Sequence, residues 1–190
     1  MSNNYREYSN KRYEEFLPHM LFETPLWHLK KELPDGAYEL ALDFEKRNEG
    51  KGRMVSNIGG YQSYPFGIED FPFGDYICEC TSFLPDHYFA NGWLNINRNN
   101  DYNVYHDHPQ SDLTFIWFIT DNNGELNIRN PHSFSRHKMY KRLTGEAYNG
   151  ISPICTAGDM LLFPADVLHG VSPTNKPEPR ISISFNIIFK

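Results

Sequence analysis

The second half of the chain consists of short apolar runs separated by Asn, Gly, Asp and Pro. About eight such runs follow residue 92, and this spacing of short strands and turns is typical of a β-sandwich or barrel. The runs are GWLNINR, YNVYHDH, LTFIWFIT, ELNIR, SPICT, DMLLFP, LHGVSP and RISISFNIIF. The pattern therefore predicts a mainly β core over residues 92–190.

The first half of the chain has a helical rather than a β pattern. Residues 1–20 are polar and charged and are predicted to form a mobile or peripheral arm. Two later segments carry apolar residues at helical spacing, the first of them after a possible cap at Asp35. These residues are Ala37, Leu40, Ala41 and Phe44 in the first segment, and Ile77, Cys80, Phe83 and Leu84 in the second. We expect one α+β domain over residues 1–190, with these helices supporting the β core and a long loop at 130–150.

Composition and charge narrow the range of partners. The 12 Tyr, 14 Phe and 3 Trp favour pleated, half-buried surfaces. The formal net charge is -6 and the basic residues are scattered, so a nucleic-acid partner is not expected. No run approaches the roughly 20 apolar residues of a membrane span, and the polar start does not resemble a signal peptide. Cys78, Cys80 and Cys155 have no metal-binding spacing, so a cytoplasmic protein with reduced thiols is predicted.

The sequence Tyr-His-Asp-His-Pro at residues 105–109 carries the first chemical signal. Side chains alternate between the two faces of a strand, so His106 and His108 would point the same way and Asp107 the opposite way. Two imidazoles side by side at the end of a strand are a natural pair of metal ligands. A pair of surface histidines is the structural alternative.

Two further signals follow near the C-terminus. His169 comes five residues after Pro164, which follows the apolar run Met160–Phe163, and could supply a third ligand from the other side of a barrel. Arg180 enters an apolar strand, which is costly unless the guanidinium meets a partner. It would share a face with Ser182 and Ser184, and a buried arginine beside a hydroxyl is a good receptor for a carboxylate.

Longer motifs around these residues are similar to a known family. Residues 56–63 read Ser-Asn-Ile-Gly-Gly-Tyr-Gln-Ser, the segment 93–95 reads Trp-Leu-Asn, and His-Asp-His-Pro follows at 106–109. With the closing Arg-Ile-Ser-Ile-Ser-Phe-Asn of residues 180–186, they resemble a family of 2-oxoglutarate–Fe(II) oxygenases within the iron/2-oxoglutarate oxygenase superfamily. The resemblance runs from about residue 22 to the C-terminus.

The resemblance implies a double-stranded β-helix, or jelly-roll, core and a need for Fe(II) and the cosubstrate 2-oxoglutarate. His106, His108 and His169 would bind the iron. The implied activity is that of a dioxygenase that hydroxylates a small molecule or a protein side chain and releases succinate and CO2.

The same resemblance assigns the cosubstrate contacts. Arg180, helped by Ser182, would bind the far carboxylate of 2-oxoglutarate. Asn95 and Asn97 alternate on the strand that leads to the site, and either could hydrogen-bond the cosubstrate or the substrate.

The metal ligands depart from the usual superfamily pattern, which includes a carboxylate. A histidine stands at position 108, so a three-histidine face is predicted. Asp107 could reach the site through a local bulge. Gln110 could take the position of the carboxylate if His108 were the first ligand.

Two other functions stay open at this point. The pattern His106-x-His108 followed by Asp112 also fits a cupin-like metalloenzyme that does not use 2-oxoglutarate. A jelly-roll module that binds ligands without catalysis is the third possibility. The sequence does not identify the substrate or the oligomeric state.

Overall fold

The computed structural model describes residues 24–132 and 149–190, which form two helices and thirteen strands. The arm predicted at residues 1–20 and most of the loop predicted at 130–150 lie outside the described residues. The helices are α1 (Ala37–Arg47) and α2 (Gly74–Cys80). The strands are β1 (Trp27–Leu29), β2 (Asn57–Ile58), β3 (Tyr61–Gln62), β4 (His87–Asn97), β5 (Tyr102–His106), β6 (Leu113–Phe118), β7 (Asn122–Asn123), β8 (Leu126–Arg129), β9 (Gly150–Ile151), β10 (Ile154–Cys155), β11 (Met160–Pro164), β12 (His169–Val171) and β13 (Arg180–Phe189).

Two antiparallel sheets form the body of the protein. The six-stranded sheet has the order β1-β11-β6-β13-β4-β3, and the five-stranded sheet has the order β2-β5-β12-β8-β9. A small ribbon of β10 and β7 completes the strands of the described chain. This architecture is the mainly β jelly roll that the resemblance implied. Strands β1, β2 and β3 come from the first half of the chain, so the sheets extend beyond the segment 92–190.

The six-stranded sheet is buried on both faces because one face packs on the helices and the other on the second sheet. Strand β6 is buried at all six positions. Its Phe115 and Trp117 lie in the cluster shared with α1 and α2, whereas Ile116 and Phe118 lie in the cluster between the sheets. The period-two alternation of a strand thus divides one apolar run between two cores.

Strand β13 alternates in the same way, but one of its faces is polar. Ile181, Ile183 and Phe185 pack in the helix-side core, as predicted from their alternation. Gly92 is the cross-strand partner of Phe185, and a Cβ at this glycine would overlap the phenylalanine ring. The opposite face of β13, beginning with Arg180, is directed towards the five-stranded sheet.

The helix ends differ from the sequence prediction in two details. Helix α1 begins after Gly36, which has a φ of 82° and provides no side-chain cap, so the cap predicted at Asp35 is wrong. Helix α2 ends at Cys80, and Phe83, predicted on its buried face, is 51% exposed. Neither helix of the described chain is long and apolar enough to cross a membrane.

Candidate active site

The three predicted histidines meet in a cavity between the two sheets. His106 on β5 and His169 on β12 are direct cross-strand partners, and their ring centroids are 4.4 Å apart. His108 follows β5, and its ring centroid lies 5.2 Å from that of His106 and 5.1 Å from that of His169. One ring nitrogen of each histidine lies within 4.8 Å of those of the other two. Sheet register therefore assembles a three-nitrogen cluster from distant parts of the chain.

Hydrogen bonds orient all three imidazoles. The Nδ1 atom of His106 donates to the carbonyl oxygen of Val104 at 2.9 Å, and Nδ1 of His169 donates to that of Val167 at 3.0 Å. The Nδ1 atom of His108 donates to the side-chain oxygen of Asn186. Since every acceptor is an amide oxygen, the proton resides on Nδ1 and the lone pair of Nε2 is available to a metal ion.

Burial keeps these imidazoles neutral, which is the form that binds a metal. Burial, followed by the repulsion of His106, lowers the pKa of His169 to about 3. Burial is also the main cause that lowers the pKa of His106 and His108, although their hydrogen bonds act in the opposite direction. The cluster is therefore a set of three neutral nitrogen donors.

A relay of two amides lies behind His108. Asn186 on β13 accepts from His108, and its own Nδ2 donates to the Oδ1 of Asn91 at 2.8 Å. Because the nitrogen of the Asn186 amide faces Asn91, its oxygen faces the His108 ring. Trp93 closes this side, with its ring centroid 5.3 Å from that of His108.

Arg180 lies in the same cavity, and its charge is unusually poorly compensated. Its side chain is fully buried, yet its described partners are neutral: Nε donates to Asn122 Oδ1 at 3.1 Å and a terminal nitrogen contacts Ser182 Oγ at 3.4 Å. Burial lowers its pKa to about 10, although Glu125 opposes this shift. The Glu125 carboxylate is itself 2.8 Å from Lys176 Nζ. Within residues 24–132 and 149–190, no carboxylate forms an ion pair with Arg180, which leaves the guanidinium available to an anion.

The polar face of β13 is matched by a polar face of β4. Cross-strand partners in an antiparallel pair lie on the same side of the sheet. Four such pairs run from the arginine towards the histidines: Arg180 with Asn97, Ser182 with Asn95, Ser184 with Trp93, and Asn186 with Asn91. The two strands thus carry a ladder of mostly polar pairs, and the cavity is lined by five of its members, Arg180, Ser182, Ser184, Asn95 and Trp93.

The two predicted asparagines have different surroundings in this ladder. Asn95 lines the cavity, and its buried Oδ1 accepts no hydrogen bond from the part of the chain that is described. Asn97 does not line the cavity. Its Nδ2 donates to the Oδ1 of Asn103 at 3.0 Å, and Asn103 in turn donates to Ser56 Oγ at 3.2 Å. Asn97 therefore holds Asn103, which is a lining residue.

The alternative ligands lie outside the histidine cluster. Asp107 and Gln110 are both exposed, and Asp107 does not join the group of ligand atoms that His106, His108 and His169 form. Asp112, required by the cupin-like alternative, is exposed and accepts from the backbone N–H of Phe189 at 2.8 Å. The two carboxylate alternatives, Asp107 and Asp112, thus do not belong to the ligand group of the three histidines.

Sequence reasoning assigned no role to Asn186, Asn122 or Asn103. Asn186 continues the alternation of Arg180, Ser182 and Ser184, so extending that alternation by one step would have found it. Asn122 and Asn103 contact the site through sheet register, which the local sequence does not encode.

The sequence matches a known family over residues 91–186, just over half of the chain. That family is described as "Putative 2OG-Fe(II) oxygenase". The chain belongs to this family. No protein with a curated description matches the sequence. Fe(II) and 2-oxoglutarate are the metal and the cosubstrate of this oxygenase family, and three neutral nitrogens in one cavity with a buried guanidinium fit that pair chemically.

Solved structures with the same fold include several 2-oxoglutarate enzymes. The α-ketoglutarate-dependent carbocyclase SnoK from nogalamycin biosynthesis has a TM-score of 0.62 at 11% identity, over 88% of this chain and 80% of its own. The epimerase SnoN from the same biosynthesis has a TM-score of 0.60 at 14% identity, over 86% and 77%. HygX from Streptomyces hygroscopicus, with nickel and 2-oxoglutarate bound, has a TM-score of 0.58 at 10% identity, over 88% and 83%. Because a carbocyclase and an epimerase share this fold, the fold alone does not determine the reaction of the oxygenase.

Proposed function

We propose that this oxygenase hydroxylates a small molecule or a protein side chain, consuming 2-oxoglutarate and releasing succinate and CO2. The single observation that carries the proposal is one cavity that holds both a neutral three-histidine cluster and a buried arginine that forms no ion pair with a carboxylate of residues 24–132 or 149–190. The first group suits a divalent cation and the second a carboxylate. A 2-oxo dicarboxylic acid carries one group suited to each, a keto-acid end for the cation and a far carboxylate for the guanidinium.

His106, His108 and His169 would hold Fe(II) through their Nε2 atoms. Imidazole is a suitable ligand for iron, and each ring is already fixed by its Nδ1 hydrogen bond. A ligand set without a carboxylate leaves the full double charge on the metal. Together with the Arg180 guanidinium, that charge favours a dianionic cosubstrate.

Arg180 and Ser182 would bind the far carboxylate of 2-oxoglutarate. The guanidinium keeps donors to spare after its contacts with Asn122 and Ser182, and a carboxylate can accept two of them in parallel. Asn95 would offer its unsatisfied oxygen to a hydroxyl group or an ordered water of the bound ligands. Asn97 would act indirectly, by holding Asn103 at the cavity wall.

When bound, the iron supplies the activation of dioxygen that is coupled to decarboxylation of 2-oxoglutarate. The protein supplies orientation and a dry wall. Ile116 and Leu126 line the cavity and are 5% and 1% exposed, so they limit the access of water to the reacting groups. Arg180 fixes one end of the cosubstrate, which brings its keto-acid end towards the histidines and supplies part of the rate by positioning.

The proposal is tested by anaerobic titration of the metal-free protein with Fe(II) and 2-oxoglutarate. A keto acid chelated to Fe(II) gives a visible charge-transfer band, which we expect in the wild type and not in His169→Ala. Arg180→Ala should require much more 2-oxoglutarate for the same band. Admission of dioxygen should then yield succinate, and candidate substrates are compared by a gain of one oxygen atom in mass.

The possible results separate the alternatives. Iron binding without the band would favour a metalloenzyme that does not use 2-oxoglutarate. Absence of iron binding would make the histidines structural and remove the enzymatic assignment. Succinate without an oxygenated product would retain the cosubstrate assignment and leave the substrate to be found.

A further inference from the structure

A second group of potential metal ligands lies outside the cavity between the sheets. It consists of His28 on β1, Cys155 on β10 and Asp159 in the turn before β11, with one ligand atom of each within 4.8 Å of the other two. The Nε2 of His28 and the Oδ2 of Asp159 are 2.9 Å apart. Three separate elements thus bring an imidazole, a thiol and a carboxylate to one point.

Strand pairing and a tight turn hold His28 and Asp159 close together. Strand β1 pairs with β11, so His28 is opposite Leu161 and close to the turn that carries Asp159. The same Asp159 oxygen accepts the backbone N–H of Thr156 at 3.0 Å, which restrains the carboxylate. Gly158 forms the turn with a φ of 98°, where a side chain would meet the backbone of residues 31–33. The arrangement therefore belongs to the fold and not to mobile surface side chains.

Cys155 is the member without another role. It is 2% exposed, it is not part of a disulfide, and its thiol forms none of the hydrogen bonds found in the described chain. Burial and the nearby Asp159 carboxylate raise its pKa to about 11, so it carries a proton when no cation is near. A divalent cation would replace that proton and neutralise the two anionic ligands together.

A cavity of about 450 Å³ opens over this group. His28, Asp159 and Thr156 form part of its wall, and Lys30 and Lys31 lie at its rim. The group is therefore accessible from solvent on the His28 side, which is the partly exposed member. The cavity gives an ion a route of entry and gives a fourth ligand, such as water, a place to bind.

We propose that His28, Cys155 and Asp159 form a second metal site, distinct from the histidine cluster, that binds Zn²⁺. A thiolate, an imidazole and a carboxylate are the donor types that Zn²⁺ takes in tetrahedral sites. Bond lengths of about 2.0–2.3 Å place tetrahedral ligand atoms roughly 3.3–3.6 Å apart. The 2.9 Å between His28 and Asp159 would widen by a few tenths of an ångström, which their side chains can accommodate.

The ion would link the edge strand β1 to strand β10, which pairs with β7, the strand whose Asn122 contacts Arg180. Cys155 pairs across the ribbon with Asn122, and Asn122 accepts from the Nε of Arg180. Loading the site is therefore expected to stabilise the fold at β1 and β10. This consequence does not depend on the proposed oxygenase activity, because the site shares no ligand with the histidine cluster.

Cobalt(II) titration of the full chain is the first test, since a cysteine thiolate gives Co²⁺ an intense near-ultraviolet charge-transfer band that imidazole and carboxylate ligands do not give. We expect the band in the wild type, its loss in Cys155→Ser, and its retention in the double control Cys78→Ser/Cys80→Ser. The control removes the other two thiols, which lie on or beside helix α2. Absence of the band in the wild type, or its survival in Cys155→Ser, would overturn the proposal.

Zn²⁺ binding in a His169→Ala background separates the two sites and guards against misfolding of the cysteine variant. That background should retain one high-affinity Zn²⁺ and a rise in Tm on Zn²⁺ addition. The added change His28→Gln, at a partly exposed residue, should weaken Zn²⁺ binding and remove the rise in Tm while circular dichroism stays that of the parent. Equal Zn²⁺ affinity with and without His28 would refute the site even if the oxygenase proposal stands.

Discussion

The two ends of the cavity between the sheets are both buried and both polar, but one presents hydrogen-bond acceptors and the other presents donors. At the end formed by the five-stranded sheet, three histidines donate through Nδ1 and turn unprotonated nitrogens inward. At the end formed by the six-stranded sheet, Arg180 turns unused donors inward. Nitrogen lone pairs suit a cation, and spare N–H donors suit an anion. The two ends therefore match, by their own chemistry, a metal ion and a carboxylate.

The two ends also differ in how much free energy their burial costs the fold. The histidines become neutral on burial, and so their desolvation costs little. Arg180 stays charged, because even its lowered pKa of about 10 lies well above neutrality. An uncompensated buried charge destabilises a protein. The arginine end should thus show a conflict between function and stability that the histidine end does not show.

The largest expected effect follows removal of His169, the most buried of the three histidines. We expect His169→Ala to abolish turnover and to weaken Fe(II) binding by more than the roughly 10- to 100-fold that changes behind a metal ligand cost. Anaerobic titration with Fe(II) measures the loss of affinity. His87→Ala is the matched control, since His87 makes the same kind of Nδ1 bond, to the carbonyl of Pro85, but lies outside the cluster. Near-normal iron binding in His169→Ala would contradict its role as a ligand.

The next effect separates function from stability at Arg180. Truncating one partner of a buried, charged contact costs about 2–5 kcal/mol, so Arg180→Met should raise the 2-oxoglutarate requirement by about 30-fold or more. Without ligands, the same variant should be as stable as the wild type or more stable, because an uncompensated buried charge is replaced by an apolar chain. Urea unfolding with and without Fe(II) and 2-oxoglutarate measures both changes.

The exposed Arg47 provides a control for that experiment. Arg47→Met removes an exposed charge that is paired with Asp43 on the surface of α1 and should leave the 2-oxoglutarate requirement unchanged. If Arg180→Met destabilised the ligand-free protein strongly, Arg180 would have to be a structural residue whose charge is compensated within the fold.

The fold and the chemistry of the site were predictable from the sequence to different depths. The alternation of Arg180, Ser182 and Ser184 against Ile181 and its apolar neighbours was confirmed, because a strand between two cores leaves a strict period-two pattern. The mainly β class was likewise confirmed from the short apolar runs. The cap at Asp35 was wrong because Gly36, one residue later, occupies the N-cap position and has no side chain with which to cap the helix.

Pairings between distant segments could not be predicted. His106 and His169 are cross-strand partners, and Arg180 is held by Asn122, yet nothing local in the sequence specifies either pairing. The sequence prediction ended the polar face of β13 at Ser184. It therefore gave no role to Asn186, which lies on the same face. Local pattern therefore identified the side chains at the site, and register determined which of them meet.

A smaller effect is expected behind the histidines. Asn186→Ala removes the acceptor of the His108 Nδ1 proton, so the ring loses its fixed tautomer and orientation. Fe(II) affinity should fall by about 10- to 100-fold, the usual cost of such a change. Asn186→Asp keeps an acceptor of the same shape and should retain most of the affinity, provided Asn91 turns its amide to donate. Equal losses in both variants would indicate that Asn186 acts through packing and not through the hydrogen bond.

The smallest effect should come from the two residues that could have replaced His108 as ligand. Asp107 and Gln110 are exposed, and Asp107 does not join the ligand group of the three histidines, so Asp107→Asn and Gln110→Ala should leave Fe(II) and 2-oxoglutarate binding unchanged. Each removes a potential ligand while the protein keeps its three neutral nitrogens.

His108→Asp is the complementary change, since it places a carboxylate at this position and lowers the charge of the loaded site by one. That variant should bind Fe(II) but hold the dianionic cosubstrate more weakly, because the metal end would attract it less. Loss of iron binding in Asp107→Asn with retention in His108→Ala would instead make the carboxylate the ligand and reduce the cluster to two histidines.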